Sequence, residues 1–206
     1  MQTLTLPLTP EAIQSLHVGD SVRLRGVMLT GRDAAHKWLV ETFIRRTHEP
    51  SEADAVVAAA IRPLLDGGAI YHCGPVVAGL ETKEYRFVAA GPTTSTREEP
   101  YQAEVMRHFG VRAVVGKGGM GAKTLAACLD VPGVYLHAIG GAATLIAQTV
   151  QRVLGVYKLE FGVPEAMWAI EVRDFPAVVT MDSHGQSLHV EVEARSREAL
   201  KRLMAA

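Results

Sequence analysis

The sequence predicts a mixed α/β fold in one domain that covers residues 1–206. Strand-like and helix-like segments alternate from residue 99 to about residue 154, and further strand-like segments and a last helix follow. No low-complexity linker interrupts the 206 residues, and 48% of them are hydrophobic, enough to bury a core. The alternation predicts a parallel, buried sheet for the middle of the chain.

The first third of the chain predicts an extended segment, a strand and a helix. Pro7 and Pro10 favour an extended lead-in over the first 20 residues. Residues 21–29 alternate between polar and apolar side chains, which predicts a strand. Residues 34–46 predict a helix, with Asp33 as its N-cap and a basic last turn.

The middle of the chain supplies most of the predicted sheet. Its elements follow one another with short connections. They are a short helix ending at Gly67-Gly68, strands over 69–73 and 85–90, a helix over 100–109, a strand over 111–115, a helix through Leu129, a strand over 134–139 and an Ala-rich helix to about Leu154. Alternation of this kind places loops at the carboxyl ends of parallel strands, where α/β proteins bind their ligands.

The end of the chain predicts three strands joined by turns. Residues 166–172, 177–182 and 187–193 are rich in β-branched and aromatic side chains or alternate in polarity. Residues 174–176 and 183–185 predict the turns between them, and residues 196–204 predict a closing helix.

Charge and hydropathy exclude several functional classes. Lys and Arg number 21 against 22 Asp and Glu, which gives a net charge of −1. The chain therefore has no overall electrostatic attraction for nucleic acid or for an anionic membrane. No apolar run approaches the about 18 residues that span a bilayer, and no secretory signal is visible. We expect a cytoplasmic protein that binds neither nucleic acid nor membranes.

The two cysteines, Cys73 and Cys128, predict no metal centre in this chain. Neither lies in a C-x-x-C pair, which argues against a zinc site and a disulfide framework. Two thiols are also too few for a four-iron cluster. We expect two reduced, buried cysteines and no metal ligands.

Three loops that follow strands contain candidate binding residues. In residues 30–37, Arg32 precedes a helix and could bind a carboxylate, although the spacing alone favours a capped helix with a solvated Arg. Residues 91–97 join four hydroxyl residues to Arg97, which suits either a small oxygen-rich anion or an ordinary N-cap run. Residues 116–124 nearly form a phosphate-binding P-loop, but Ala122 separates the last Gly from the Lys, so that interpretation fails.

Histidines are the remaining candidates for acid–base chemistry. His36 directly follows the first loop and is the most interesting of the eight. His72 lies in a strand-like segment and is more typical of a core histidine with satisfied hydrogen bonds. Trp38 and Trp168 lie in apolar segments and predict packing rather than ligand contact.

Five collinear motifs resemble one family over nearly the whole chain. They are T-G-R-D-A-A-H-K (30–37), G-P-T-T-S-T-R (91–97), V-G-K-G-G-M (115–120), G-V-Y-L-H-A-I-G-G-A-A (133–143) and E-A-M-W-A-I-E-V-R-D-F-P-A (165–177). The chain resembles the beta subunit, or the equivalent C-terminal domain, of class I fumarate hydratases and L(+)-tartrate dehydratases.

The resemblance implies a hydro-lyase subunit with a swivelling β/β/α domain. It implies reversible hydration of fumarate to malate at an active site shared with an alpha subunit, whose cysteines bind a 4Fe-4S cluster. Two alpha and two beta subunits would form a heterotetramer. Carried over by motif, Arg32, Arg97 and Lys117 would bind the substrate's oxygens, and Thr93 would be the catalytic base.

One departure from the motif affects the expected activity. Family members commonly follow Arg97 with Met-Asp, whereas this chain has Glu98-Glu99. We expect both acids to point outward from the first turn of the next helix, although either could pair with Arg97. A related diacid such as tartrate or mesaconate is an alternative substrate. A non-catalytic binding module of the same fold is the alternative of a different class.

Overall fold

A seven-stranded sheet organises the protein, whose computed structural model describes residues 1–205. The strands of the chain are β1 (Gln2–Thr5), β2 (Ser21–Thr30), β3 (Ala69–Tyr71), β4 (Val76–Ala78), β5 (Arg86–Ala89), β6 (Ala113–Gly116), β7 (Val134–His137), β8 (Val150–Tyr157) and β9 (Met167–Met181). The large sheet has the order β1-β2-β3-β6-β7-β9-β8, and β4 and β5 form a separate hairpin.

The helices connect these strands and pack against both faces of the sheet. They are α1 (Pro10–Gln14), α2 (Asp33–Leu39), α3 (Glu52–Leu65), α4 (Gln102–Phe109), α5 (Ala122–Asp130), α6 (Ala143–Thr149) and α7 (Leu188–Met204). A π-helical turn over Val40–Ile44 extends α2, and short 3₁₀ turns cover Ser95–Glu98 and Leu159–Phe161. Within the described residues, no helix combines the length and the apolar composition that a membrane span requires.

Strand β9 closes the sheet on itself. The strands β2, β3, β6 and β7 run parallel to their neighbours, as the alternating middle section predicted. β9 pairs antiparallel with β7 and also with β2, so the sheet forms a barrel-like ring. The mixed α/β class predicted from the sequence is therefore confirmed.

The core lies on both faces of the sheet because neighbouring strand residues point to opposite sides. On β6, Val115 packs inside the ring with Leu24, Trp168 and Phe175, whereas Val114 packs outside against the helices. This gives a β/β/α arrangement, with one core between the strands of the ring and another between the ring and the helices. Trp168 is fully buried and Trp38 nearly so, which confirms their predicted packing roles.

Gly26 allows β2 to change partners along its length. The first half of β2 pairs with β1, and its end pairs with β3. The pairing of β2 with β9 shifts register between Leu24 and Gly26, a β-bulge. Gly26 has a φ of +115°, and a Cβ there would lie 2.9 Å from the backbone oxygen of Leu6. The bulge therefore requires glycine for its backbone angle and for space.

Two predicted segments, the extended lead-in and the end of the Ala-rich helix, differ from the structure. The extended lead-in is wrong in part, because it contains β1 and the short helix α1, which Thr9 caps with its side chain. The Ala-rich helix ends at Thr149 rather than near Leu154. The residues that follow it pair with β9 as β8, so pairing between distant segments overrides the local helical preference.

Of the three strands predicted at the end of the chain, the first two are confirmed as parts of one continuous strand, and the third is wrong. Residues 167–181 form one long strand, and Asp174, with a φ of +56°, lies at the bulge opposite Arg25 rather than in a turn. Residues 188–193 begin α7, because the Ser187 side chain caps the helix. Ion pairs four residues apart then support α7, as between Glu191 and Arg195.

We predict that Gly26→Ala destabilises the protein more than Gly19→Ala does. Both glycines have a positive φ, but nothing lies within 4 Å of a Cβ at Gly19. Forcing a positive φ costs about 1–3 kcal/mol in either variant, and the contact with Leu6 adds to it only at Gly26. Urea unfolding of both variants measures the difference, and equal losses of stability would contradict the packing role of Gly26.

Candidate active site

The predicted loops meet at the carboxyl ends of the parallel strands. Segment 91–98 runs between the loops that follow β3 and β6, and backbone hydrogen bonds join it to both loops. The Thr93 N–H donates to the His72 carbonyl (2.7 Å), and the Lys117 N–H donates to the Thr93 carbonyl (3.2 Å). The Ser95 N–H donates to the Lys117 carbonyl (3.0 Å). These bonds place Thr93 and Lys117 side by side.

Arg32 lies at the start of α2, where its side chain is held from two sides. Its Nε is 3.2 Å from Oε1 of Glu165, whose Oε2 accepts a hydrogen bond from the Ala34 N–H (3.1 Å). A Cβ on Gly74 would lie 2.5 Å from Nη1 of Arg32. The guanidinium therefore passes directly over Gly74 and forms an ion pair with Glu165, in which Nε donates no hydrogen bond among the described residues. Only 19% of the Arg32 side chain is exposed.

Arg97 is joined to the same helix start through Asp33. Its Nη2 is 3.0 Å from Oδ2 of Asp33, and about half of each side chain is exposed. The predicted N-cap role of Asp33 is wrong: Arg32 is the N-cap residue, and Asp33 is the first residue of α2. Because Asp33 binds Arg97, the two arginines that the sequence proposed lie at one end of one helix.

Thr93 and Lys117 complete the group of predicted residues. Thr93 Oγ1 is buried and has no hydrogen-bond partner among the described residues. The Lys117 side chain passes over Gly140, where a Cβ would lie 3.7 Å from Lys117 Cδ. The structure thus brings Arg32, Thr93, Arg97 and Lys117 to one edge of the sheet.

Glu98 does not point outward, so that prediction is wrong. Its side chain is fully buried, and neither carboxylate oxygen has a hydrogen-bond partner among residues 1–205. Burial, and next the charge of Asp33, raise the pKa of Glu98 to about 7, while Arg97 and Arg32 act in the opposite direction. A substantial fraction of Glu98 is therefore protonated at neutral pH.

Glu99 does not face solvent freely either, because it caps helix α5. Its carboxylate accepts hydrogen bonds from the backbone N–H groups of Gly121 (2.7 Å), Lys123 (2.9 Å) and Thr124 (3.3 Å), and from the Thr124 hydroxyl (2.7 Å). An anion at this position satisfies N–H groups that the helix leaves unpaired. Neither acid forms an ion pair with Arg97, so that alternative is also wrong.

A buried polar network ties the first loop to the second. His36 Nδ1 lies 2.9 Å from the Arg32 carbonyl, and His72 Nδ1 lies 2.8 Å from Ser95 Oγ, which also accepts from the Tyr135 hydroxyl. The Nε2 atoms of both histidines lie 2.8 Å from the atom placed as Gln102 Oε1. His72 is thus a core histidine with satisfied hydrogen bonds, as predicted.

The protonation states in this network follow from burial. Burial lowers the pKa of His36, and it lowers the pKa of His72 to about 3, so both rings are neutral. Each Nδ1–H donates, which leaves each Nε2 as an acceptor. Two Nε2 acceptors cannot both bond to an amide oxygen. The orientation that satisfies both rings therefore exchanges the oxygen and nitrogen of the Gln102 amide, so that its NH₂ group lies between the rings and donates one hydrogen to each. His36 is therefore a neutral structural link rather than an exposed acid or base.

The cysteines of this chain do not fit the ligand set of an iron–sulfur cluster. Cys73 and Cys128 are fully buried free thiols, as predicted, and they lie in the two cores on opposite faces of the sheet. Burial raises the pKa of both thiols to about 12, which opposes the thiolate form that metals bind. In the part of the chain that the structure describes, no group of three His, Cys, Asp or Glu side chains could hold a metal.

The fold and the loops define an α/β domain that presents cationic side chains at the carboxyl edge of its sheet, a site suited to small anions. The chain belongs to the Fumarase C-terminus family, whose sequence profile matches residues 2–192.

Relatives with assigned names agree with this membership. The chain is 53% identical over 198 residues to a protein of Geobacillus stearothermophilus named as a class I fumarate hydratase, covering 96% of this chain but 35% of that protein. It is 39% identical to a protein of Methanocaldococcus jannaschii named as an L(+)-tartrate dehydratase subunit beta, covering 96% of this chain and 95% of that one. The L(+)-tartrate dehydratase subunit beta of Escherichia coli is 36% identical, over 91% of this chain and 86% of that subunit.

Several residues at the site escaped the sequence reasoning. Asp33 and Glu165 each bind an arginine, Gly74 makes room for Arg32, and Gln102 links the two histidines. Glu165 lies in a motif that the sequence singled out, so its position was a usable signal. Gly74 and Gln102 carried none, because their partners are distant in sequence.

We predict that Glu98→Met stabilises the protein at alkaline pH. Since the pKa of Glu98 is raised from 4.5 to about 7, the folded chain binds this proton more tightly than the unfolded chain does. Stability is therefore lost as the pH rises from about 4.5 to about 7 and stays lower above that range. Met removes this loss, so the gain over the unsubstituted protein should be about 2 kcal/mol larger at pH 8 than at pH 5.

Urea unfolding at the two pH values measures this gain. Glu99→Ala is the matched control: it removes the α5 cap and should cost about 1 kcal/mol at both pH values. Parallel pH profiles for Glu98→Met and the unsubstituted protein would contradict the buried, proton-binding role of Glu98.

Proposed function

We propose that this chain is the beta subunit of a class I fumarate hydratase, which hydrates fumarate reversibly to malate. The observation that carries the proposal is the convergence of Arg32, Arg97, Lys117 and Thr93 at one edge of the sheet, in a chain 53% identical to a protein named as a fumarate hydratase. The chain contributes these residues to an active site that it shares with an alpha subunit.

Three cations bind the substrate in this proposal. A dicarboxylate carries two negative charges that are separated by a short carbon chain. Each charge is a carboxylate, whose two oxygens match the paired donors of an Arg side chain. Arg32 is pre-oriented by Glu165, so little conformational freedom is lost when it binds a carboxylate. Arg97 is more exposed and keeps donors free beside its contact with Asp33. Lys117 binds the remaining carboxylate or hydroxyl oxygen.

Thr93 is the proposed catalytic residue. Its hydroxyl is buried without a partner beside Lys117, and this leaves Oγ1 available to a substrate carbon. In the dehydration direction, Oγ1 accepts the proton from the carbon next to the one that loses its hydroxyl. A neutral hydroxyl is a weak base, so a group of the alpha subunit must first remove the Thr93 proton.

The iron–sulfur cluster belongs to the alpha subunit in this proposal. The buried, protonated thiols of this chain do not fit its coordination, so a division of labour between subunits is the arrangement that the chemistry supports. We assign the assembly as a heterotetramer of two alpha and two beta subunits. Two free thiols are typical of a cytoplasmic protein, and we place the enzyme there.

L(+)-tartrate dehydratase is the second candidate function. The chain covers 86–95% of two proteins named as beta subunits of that enzyme, so its length matches theirs. Both diacids present two carboxylates to the same cations, and tartrate differs from malate by one hydroxyl. Turnover of fumarate against tartrate by one preparation distinguishes the two functions.

Assembly with the alpha subunit tests the proposed function. We predict that the purified chain alone is colourless and inactive, and that it restores fumarate–malate interconversion when it is combined with the alpha subunit. Arg97→Ala and Lys117→Ala should each lower kcat/KM by roughly 30-fold or more, since removing one partner of a buried charge typically costs about 2–5 kcal/mol.

Lys123→Ala is the control, because this lysine is exposed on α5. It should leave kcat/KM near that of the unsubstituted enzyme. Near-normal kcat/KM in both Arg97→Ala and Lys117→Ala, or an active, coloured preparation of this chain alone, would refute the proposal.

We also predict that Gly74→Ala weakens diacid binding by displacing Arg32. The added methyl group would lie 2.5 Å from the guanidinium, so the side chain must move, whereas the φ of Gly74 is not positive and tolerates Ala. Gly140→Ala is the matched control, since its Cβ makes only an ordinary contact, 3.7 Å from Lys117 Cδ. We expect KM to rise at least about fivefold in Gly74→Ala alone; equal KM values in the two variants would exclude a close approach of Arg32 to Gly74.

A further inference from the structure

Glu98 is an unusual neighbour for a site that binds anions. It directly follows Arg97 in the 3₁₀ turn Ser95–Glu98, and the two side chains lie on opposite sides of that turn: about half of Arg97 is exposed, whereas Glu98 is fully buried. Both carboxylate oxygens lack a hydrogen-bond partner in the described chain. A permanently ionised carboxylate in this position would be costly, because its charge is neither paired nor solvated.

The charges around Glu98 come from two elements, the start of α2 and its own 3₁₀ turn. Asp33, at the start of α2, disfavours its ionisation, and Arg32 and Arg97 favour it. Tyr135 on β7 is buried and its pKa is raised, so its hydroxyl stays protonated. His36 and His72, which contact Gln102 four residues further along, are neutral. Arg97 and Arg32 are therefore the cations that support the ionised form of Glu98.

We infer that Glu98 makes diacid binding at Arg97 proton-linked, so that a diacid binds together with a proton held on the Glu98 carboxyl; this inference rests on the proposed function. A bound diacid neutralises the two arginines and adds negative charge beside Glu98. Both effects disfavour the ionised carboxylate, so Glu98 takes up a proton from the solvent as the diacid binds. Glu98 does not touch the substrate in this proposal: its charge acts through space on Arg97 and on the bound diacid.

Linkage gives the direction of the pH dependence. The carboxyl groups of these diacids titrate mostly below about pH 6, so their own titration contributes little above about pH 7. Below the pKa of Glu98, about 7, the proton is already present and binding is unaffected by pH. Above it, each binding event must also recruit a proton, and affinity falls by up to about tenfold between pH 6 and pH 8. The effect should appear in KM rather than in kcat.

Calorimetry on the assembled enzyme tests the inference. Succinate, a saturated diacid that cannot be hydrated, is titrated at pH 8 in two buffers with different ionisation enthalpies, which measures the protons taken up. We expect uptake of a large fraction of one proton by the unsubstituted enzyme and almost none by Glu98→Gln, which imitates the protonated acid and does not titrate. The Kd for succinate should rise with pH in the first protein and much less in the second.

Further variants distinguish a failure of this inference from a failure of the proposed function. If Glu98→Gln does not assemble, Glu98→Met replaces it in the same measurements. Equal proton uptake and equal pH slopes with and without Glu98 would overturn the inference while leaving the proposed function intact. If Arg97→Ala binds succinate as tightly as the unsubstituted enzyme does, the proposed binding site itself is wrong. Loss of binding in Arg97→Ala, with proton uptake that depends on Glu98, supports both.

Discussion

The antiparallel pairing of β9 with both β2 and β7 is the constraint on which the rest of the structure depends. It closes the parallel strands into a ring and thereby fixes where their carboxyl ends lie relative to one another. The strands β3, β6 and β7 are then buried on both faces, which explains why residues such as Val114 and Val115 are both fully buried although they point in opposite directions. Because β2, β3 and β6 run parallel to one another, the loops that follow them converge on one edge.

The meeting of the loops at one edge does not by itself orient their side chains. Hydrogen bonds between uncharged groups and ion pairs with acidic residues provide that orientation. The Gln102 amide joins the first loop to the second through two uncharged histidines, which avoids placing additional charge beside the arginines. Glu165 and Asp33 each hold one arginine, and Glu99 fixes the loop before α5. Such support from neighbouring residues sets binding geometry before any ligand arrives.

The sequence could predict the parts of the molecule whose cause is local. Alternating polarity over residues 21–29 identified β2, and the resemblance of the loop motifs to the family implied that Arg32, Arg97 and Lys117 bind one substrate. The failures have non-local causes. The segment after α6 becomes a strand only because β9 lies beside it, and residues 174–176 resemble a turn until their pairing with β2 is known. The sequence predicted Glu98 as an exposed acid in a first helical turn. Its side chain is buried instead, because backbone hydrogen bonds hold segment 91–98 between two loops.

The two thiols, buried in separate cores, determine how the chain responds to oxidants. A protonated thiol without solvent access reacts slowly with peroxide, and two thiols on opposite faces of a sheet cannot form a disulfide with each other. We therefore expect both thiols to react slowly with air and mild oxidants. Under the proposed division of labour, in which the alpha subunit holds the cluster, oxidative loss of that cluster would leave the two thiols of this chain unchanged.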